Sequence, residues 1–222
     1  PRIVPDAKHI STLTYRELRE LSYMGATVLH EDAVFPVRSA GIPINIRNTN
    51  RPEDKGTMIV SSTTHYDTER VITGIAGKKE FSVINIEKDM MNAEVGFGRK
   101  VLEILEENGI SFEHLPSGID TMSVVTATAA LEGKRERILQ AICRTVSPDS
   151  VTIEDDMALV AVVGRGMVKA KGTAARVFDA LASKGINIRM IDQGSSELNI
   201  IIGVVEEDFE KALSAIYHEF VK

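Results

Sequence analysis

Glu113 is the side chain whose type and setting most invite a charge-based reading. It falls in a β-rich run, residues 110–115, beside a polar turn at 116–120. A carboxylate there can pair with a base across a sheet, such as Arg189, which holds the matching place in a later segment, or it can receive the ammonium of a small ligand. Residues 91–96, with Met91, Asn92 and Gly96, precede a helical pattern starting at Phe97, so their N–H groups and the helix dipole favour a carboxylate. An amino acid could thus set its carboxylate at the helix start and a distal ammonium near Glu113. Met91 also has a plainer reading as packing, like Met167 in the matching later place. His114 shares a strand face with Phe112, which suits a partly buried histidine better than a ligand contact.

Three further features are chemically weaker. Gly74-Ile-Ala-Gly-Lys78 lacks both the glycine spacing and the Lys-Ser/Thr ending of a phosphate loop, and reads as a turn between strands. His30-Glu31 has no second histidine four residues on, so no zinc site is expected. Cys143 lies on an amphipathic helix and reads as a core or half-buried residue rather than a nucleophile.

The elements that must position these residues come as a repeat. A shift of 76 carries residues 95–125 onto 171–201 without a gap, with six of 31 positions identical, among them Gly96/Gly172, Leu105/Leu181 and Gly109/Gly185. Apolar positions match as well, as in Leu102/Phe178 and Val124/Ile200, which makes structural duplication the better explanation. Each copy reads β-α-β-β-α. In the first, strand 81–87 precedes a helix from Phe97 stopped by Asn108-Gly109, then come runs 110–115 and 122–127 and a helix over 132–144. In the second the counterparts are strand 157–163, a helix stopped by Gly185, runs 186–191 and 198–204, and a helix over 207–221.

A ferredoxin-like unit needs one more strand after its second helix. The first copy has it at 150–154. The second has none, but an unassigned strand at 71–76, followed by a polar turn at 77–80, stands before the first copy. We expect that strand to complete the second copy, so that the first domain is inserted in the second. The first sixty residues differ: a helix over 13–24 capped by Thr12, another from Asp32 to Gly41, and strands at 42–47 and 57–61 around a loop at 48–56. That alternation suggests part of an α/β domain too small to bury a core alone. The fold class is therefore α/β (α+β): two βαββαβ units preceded by the end of an α/β domain.

Composition narrows the partners. A net charge of −6, with 43% hydrophobic and 26% charged residues, fits an ordinary globular chain and offers no basic footprint for nucleic acid. One cysteine forms no internal disulfide, and no leader or run of eighteen apolar residues occurs, so a cytoplasmic setting without membrane contact is expected. The start at Pro1 points to processing or to a piece of a longer protein.

The runs PRIVPDAKHI (1–10), YRELRELSYMGATVLH (15–30) and IPINIRNT (42–49) resemble the end of the amino-acid kinase domain of aspartate kinases. EKDMMNAEVGF (87–97), ISFEHLPSGID (110–120) and VFDALASKGINI (177–188) look like the family's two regulatory ACT modules. The resemblance implies domains at 1–65 (kinase end), 80–156 (first ACT) and 70–77 plus 157–222 (second ACT), and phosphorylation of L-aspartate by MgATP under feedback control. It implies that Arg2 and Lys8 are remnants of the nucleotide site and that the chain alone is inactive, its phosphate-handling elements lying before Pro1. It further implies that Glu113 receives the side-chain ammonium of a bound amino acid, with Met91, Asn92, Gly96, His114 and Ser117 around it. Gln193, Ser195, Ser196 and Glu197 form the equivalent loop of the second copy, which in such kinases helps close the pocket across a dimer.

The motif FEHLPSG (112–118) most resembles single-polypeptide kinases of spore-forming bacteria, which points to lysine or diaminopimelate as effector. Two other readings are a non-catalytic ACT-containing short subunit and an independent amino-acid sensor, the latter disfavoured by the kinase-like run 1–61. A homodimer through the ACT domains is expected, because each ferredoxin-like sheet leaves an open edge. No cofactor or metal is expected in this chain itself.

Overall fold

The computed structural model describes residues 3–25, 29, 31–62 and 70–221. The chain forms two compact units, one from Pro1–Lys78 with Leu159–Lys222 and the other from Lys79–Ala158.

In the first unit, β1 (Thr12–Thr14), β2 (Ile44–Ile46) and β3 (Thr57–Val60) form a small sheet in the order β1-β3-β2, β1 running parallel to β3 and β2 antiparallel to it. The helix expected at 13–24 under a Thr12 cap begins instead at Tyr15, as α1 (Tyr15–Tyr23). Thr12 pairs with Met58 in the sheet, and Thr14 is the cap. Its hydroxyl accepts the Glu17 N–H at 3.3 Å while Glu17 Oε2 accepts the Thr14 N–H at 2.8 Å. This reciprocal box satisfies two donors at once, which a threonine two residues earlier cannot do. The second expected helix is α2 (Glu31–Ser39).

The two copies of the repeat share their longest strands. β4 (Gly74–Glu87) and β6 (Ser150–Val163) are each continuous over 14 residues. The stretch 77–80 is therefore strand and not the expected turn. Gly77 serves close approach rather than reversal: a Cβ there would lie 2.6 Å from the Phe209 ring and 2.8 Å from the Leu159 carbonyl oxygen. The following Lys-Lys-Glu alternates outward and inward as a strand does, with Glu80 at a positive φ of 70°.

In the inserted unit, α3 (Phe97–Glu107), β5 (Thr121–Ala127) and α4 (Arg135–Val146) complete the copy, with β5 antiparallel to β4 from Phe81↔Ala127 to Glu87↔Thr121. Its core packs Ile84, Ile86, Phe97, Val101, Leu105, Val124, Leu131, Ile138 and Ile142 between helices and sheet. α4 starts three residues later than expected because a tight turn over Thr128–Leu131 and Gly133 at φ 69° occupy the approach. Cys143 is exposed on α4, not in the core, since Ile138, Ile142 and Val146 form the buried face.

The other copy has α5 (Thr173–Ala182), β7 (Met190–Asp192), β8 (Asn199–Val205) and α6 (Phe209–Phe220), with β7 antiparallel to β8. Gly96 and Gly172 cap α3 and α5 at φ 83° and 82°, and a Cβ added at either would meet nothing within 4 Å, so left-handed backbone rather than space requires glycine. The run 110–115 is not a regular strand. It makes isolated bridges, His114↔Val125 and, just beyond it, Ser117↔Met122, at a sheet edge where Pro116 has no N–H to donate.

Candidate functional site

The turn before α3 is more closed than its sequence implies. Met91 is buried among Ile84, Phe97 and Val101, so its side chain packs, and its N–H donates to Lys88 O at 3.1 Å. The N–H groups of Asn92, Ala93, Glu94 and Phe97 are also given to backbone carbonyls, that of Asn92 to Ile119 O at 3.1 Å. The expected carboxylate subsite of free N–H groups therefore shrinks to the backbone around Gly96. A carboxylate already stands beside it: Glu94 accepts hydrogen bonds from Lys100 and Lys88, each at 2.6 Å, and those two ammonium groups hold its carboxyl below the ordinary value. Sequence reading missed this triad, although Lys88 and Lys100 stand six residues to either side of Glu94.

Asn92 and the 116–120 turn are brought together, through the Asn92–Ile119 bond and through the Met90 N–H on Asp120 Oδ1 at 3.0 Å. Ser117 lies on the same end of β5, bridged to Met122. Glu113 and His114 flank Val125, the Glu113 N–H donating to Val125 O at 2.7 Å and the Val125 N–H to His114 O at 2.9 Å. Three residues of strand separate the two places, about 10 Å. Glu113 is half-buried, and among the described residues its carboxylate has no hydrogen bond or ion pair. His114 is half-buried as expected, but Phe112 is 45% exposed and does not form a core face with it.

An open groove of about 560 Å³ lies at the far end of α3, lined by Leu102, Leu105, Glu106, Gly109, Ile110, Ser111 and Phe112. It does not include the residues singled out at the helix start.

Gln193, Ser195, Ser196 and Glu197 belong to the other unit and are exposed on the β7–β8 loop, Glu197 at φ 49° with its N–H on Gly194 O at 3.0 Å. Lys8 is exposed, and its backbone N–H donates to the Tyr217 hydroxyl on α6 at 2.6 Å. Arg2 and His30 lie outside the described residues. Gly74 and Lys78 belong to β4 and form no phosphate loop. Among the described residues no cluster of His, Cys, Asp and Glu could hold a metal ion, and no helix is long and apolar enough to cross a membrane.

The buried polar centre of the first unit was not foreseen. Glu17, fully buried on α1, accepts hydrogen bonds from the Thr14 N–H and hydroxyl, the Thr73 hydroxyl, the Arg165 N–H at 3.2 Å and the Arg165 guanidinium at 2.6 Å. The Thr-x-x-Glu spacing at 14–17 was its one legible sign.

Residues 1–48 match the amino acid kinase family and residues 160–220 match the ACT domain. Aspartokinase 3 of Bacillus subtilis is 44% identical over 221 residues, covering 99% of this chain and 48% of that protein. The crystal structure of Clostridium acetobutylicum aspartate kinase superposes with a TM-score of 0.94 at 58% identity, over 99% of this chain and 51% of that one. Aspartokinase III of E. coli, in its T-state complex with lysine and aspartate, gives a TM-score of 0.77 at 25% identity, over 100% of this chain and 48% of that one. The chain thus spans about half the length of each of these relatives. Because aspartokinases align along 99% of its residues, with a kinase match at the start and an ACT match at the end, the chain belongs to the aspartokinase family, as a regulatory part with the ACT-type ferredoxin-like fold.

Proposed function

We propose that this chain is the feedback-regulatory region of an enzyme converting ATP and L-aspartate to ADP and 4-phospho-L-aspartate, and that its inserted ACT unit binds lysine or diaminopimelate. The observation that carries this reading is Glu113: a half-buried carboxylate without a partner among the described residues, about 10 Å along β5 from the turn beside Gly96. An extended amino acid with a distal ammonium matches that layout, and the lysine in the related E. coli complex supports the ligand class. MgATP is the phosphoryl donor of the whole enzyme, with Arg2 and Lys8 at the edge of its site.

Glu113→Gln keeps size and removes charge. Calorimetry on this chain is expected to show lysine or diaminopimelate binding weakened at least about tenfold, or about 1.4 kcal/mol, with an uncharged amino acid unaffected. Equal affinities in both proteins would remove Glu113 from the site.

The run 110–117 makes isolated bridges to β5 at a sheet edge, and a second copy of the chain is the proposed cover. Light scattering at micromolar concentration is expected to give twice the chain mass; the mass of one chain would refute the dimer.

A further inference from the structure

Around the strand ends that lead into the turns, a shift of 76 gives the residues of one copy their counterparts in the other, and the backbone there obeys it. Asp149 N–H donates to Glu87 O at 2.8 Å in the inserted copy, and Thr73 N–H donates to Val163 O at 2.7 Å in the other. Both copies then turn toward a helix, starting at Asp89 and at Arg165.

In the inserted copy the turn is closed from within. The Asp89 N–H donates to Asp149 Oδ2 at 2.6 Å, a carboxylate of the copy's own last strand. At the equivalent place the other copy has Thr73, whose neutral hydroxyl cannot supply that charge. The carboxylate is imported instead. Glu17, 148 residues before Arg165, takes the Arg165 N–H and the Thr73 hydroxyl on Oε1 and the Arg165 guanidinium on Oε2. A second clasp sits one turn along the same helix, where Glu20 Oε2 accepts the Asn199 side-chain amide at 2.6 Å at the start of β8. The β6–α5 turn of the second copy is thus incomplete without α1, which lies in the kinase-like segment.

We propose that Glu17 is a coupling residue: it makes α1 and the β6–α5 turn open and close as one element, and so carries the state of the ACT region to the kinase segment. This rests on the regulatory reading above. A ligand shifts such an equilibrium only through an element that both regions contact, and the Glu17–Arg165–Thr73 cluster is such an element.

The test uses Arg165→Met and Thr73→Val, which remove donors while keeping most of the side-chain volume. Thr73→Val leaves the Glu17–Arg165 pair in place and is the milder variant, so the test stands on it should Arg165→Met lose the fold. Hydrogen exchange on this chain reads the tie directly: amides of 15–18 and of 165–170 are expected to accelerate together by about tenfold in Arg165→Met, and less in Thr73→Val. In the whole kinase, both variants are expected to keep basal activity and effector affinity within about twofold while needing at least about tenfold more effector for half-inhibition, because coupling factors of this size are typical. Acceleration confined to 165–170, or inhibition unchanged in both variants, overturns the proposal. Failure of lysine and diaminopimelate to bind the unmodified kinase instead sinks the regulatory reading, and the exchange data still decide whether the tie exists.

Discussion

Replacing Glu17 by alanine is expected to lower the unfolding free energy of the chain by about 3–5 kcal/mol, because it strands a guanidinium and several oriented donors in a place built around one carboxylate. Arg165 Nε is already buried with no hydrogen-bond partner among the described residues. Glu17→Gln is also expected to destabilise, though less. Each carboxylate oxygen faces at least one N–H that can only donate, from the Thr14 or Arg165 backbone or the Arg165 guanidinium, so the amide NH2 must point at a donor on either side. Acid dependence provides a second readout. Burial pushes the Glu17 carboxyl up, but hydrogen bonds from Thr73, Thr14 and Arg165 outweigh it, and the folded-state value lies below the ordinary one. A depressed folded value means that the stabilisation is complete above the unfolded carboxyl range and is lost as pH falls through the folded value. Urea denaturation from about pH 7 to about pH 3 should therefore show a shallower acid-side decline in Glu17→Ala than in the parent. Parallel curves would mean that the Glu17 carboxyl titrates alike in the folded and unfolded chain, against a lowered folded value.

Gly164→Ala should cost about 3 kcal/mol, at the top of the range for overpacking, for a reason of space alone. Its φ of 176° is extended backbone open to any residue. A Cβ there, however, would lie 2.5 Å from Ile72 Cα, 2.6 Å from Val71 O and 2.9 Å from Thr73 N. All three are backbone atoms, which cannot rotate away as a side chain can. Moving them would strain the Thr73–Val163 hydrogen bond and shift the Thr73 hydroxyl off Glu17. Gly194→Ala is the control: a Cβ there would meet nothing within 4 Å, and a change within about 0.5 kcal/mol is expected. Equal midpoints for the two variants in urea would show that residues 71–73 do not approach Gly164 as described.

Several features were misjudged for local reasons. The Gly77–Glu80 stretch has the composition of a turn, and only the Phe209 ring and the Leu159 carbonyl against Gly77 explain why it is strand. Met91 stands at a helix start, where free N–H groups are the default, yet the Lys88 and Ile119 carbonyls take up that turn's donors. Cys143 sits in an amphipathic helix, and one step of helical phase turns it outward.

What could be read without coordinates is whatever repeats or recurs at short range. The 76-residue duplication, the helical spacing of Phe97, Val101 and Leu105, and the glycines at 96 and 172 are all carried by side-chain periodicity or by a single backbone angle. The family resemblance likewise rested on contiguous runs. Long-range pairing was the part left to the fold, since it depends on which distant groups meet once the core has closed. The carboxylate that closes the Asp89 turn is only 60 residues away, within the same copy, whereas that of the Arg165 turn comes from 148 residues away. No spacing rule links Glu17 to Arg165: burial removes water as their alternative partner, and that makes the pair.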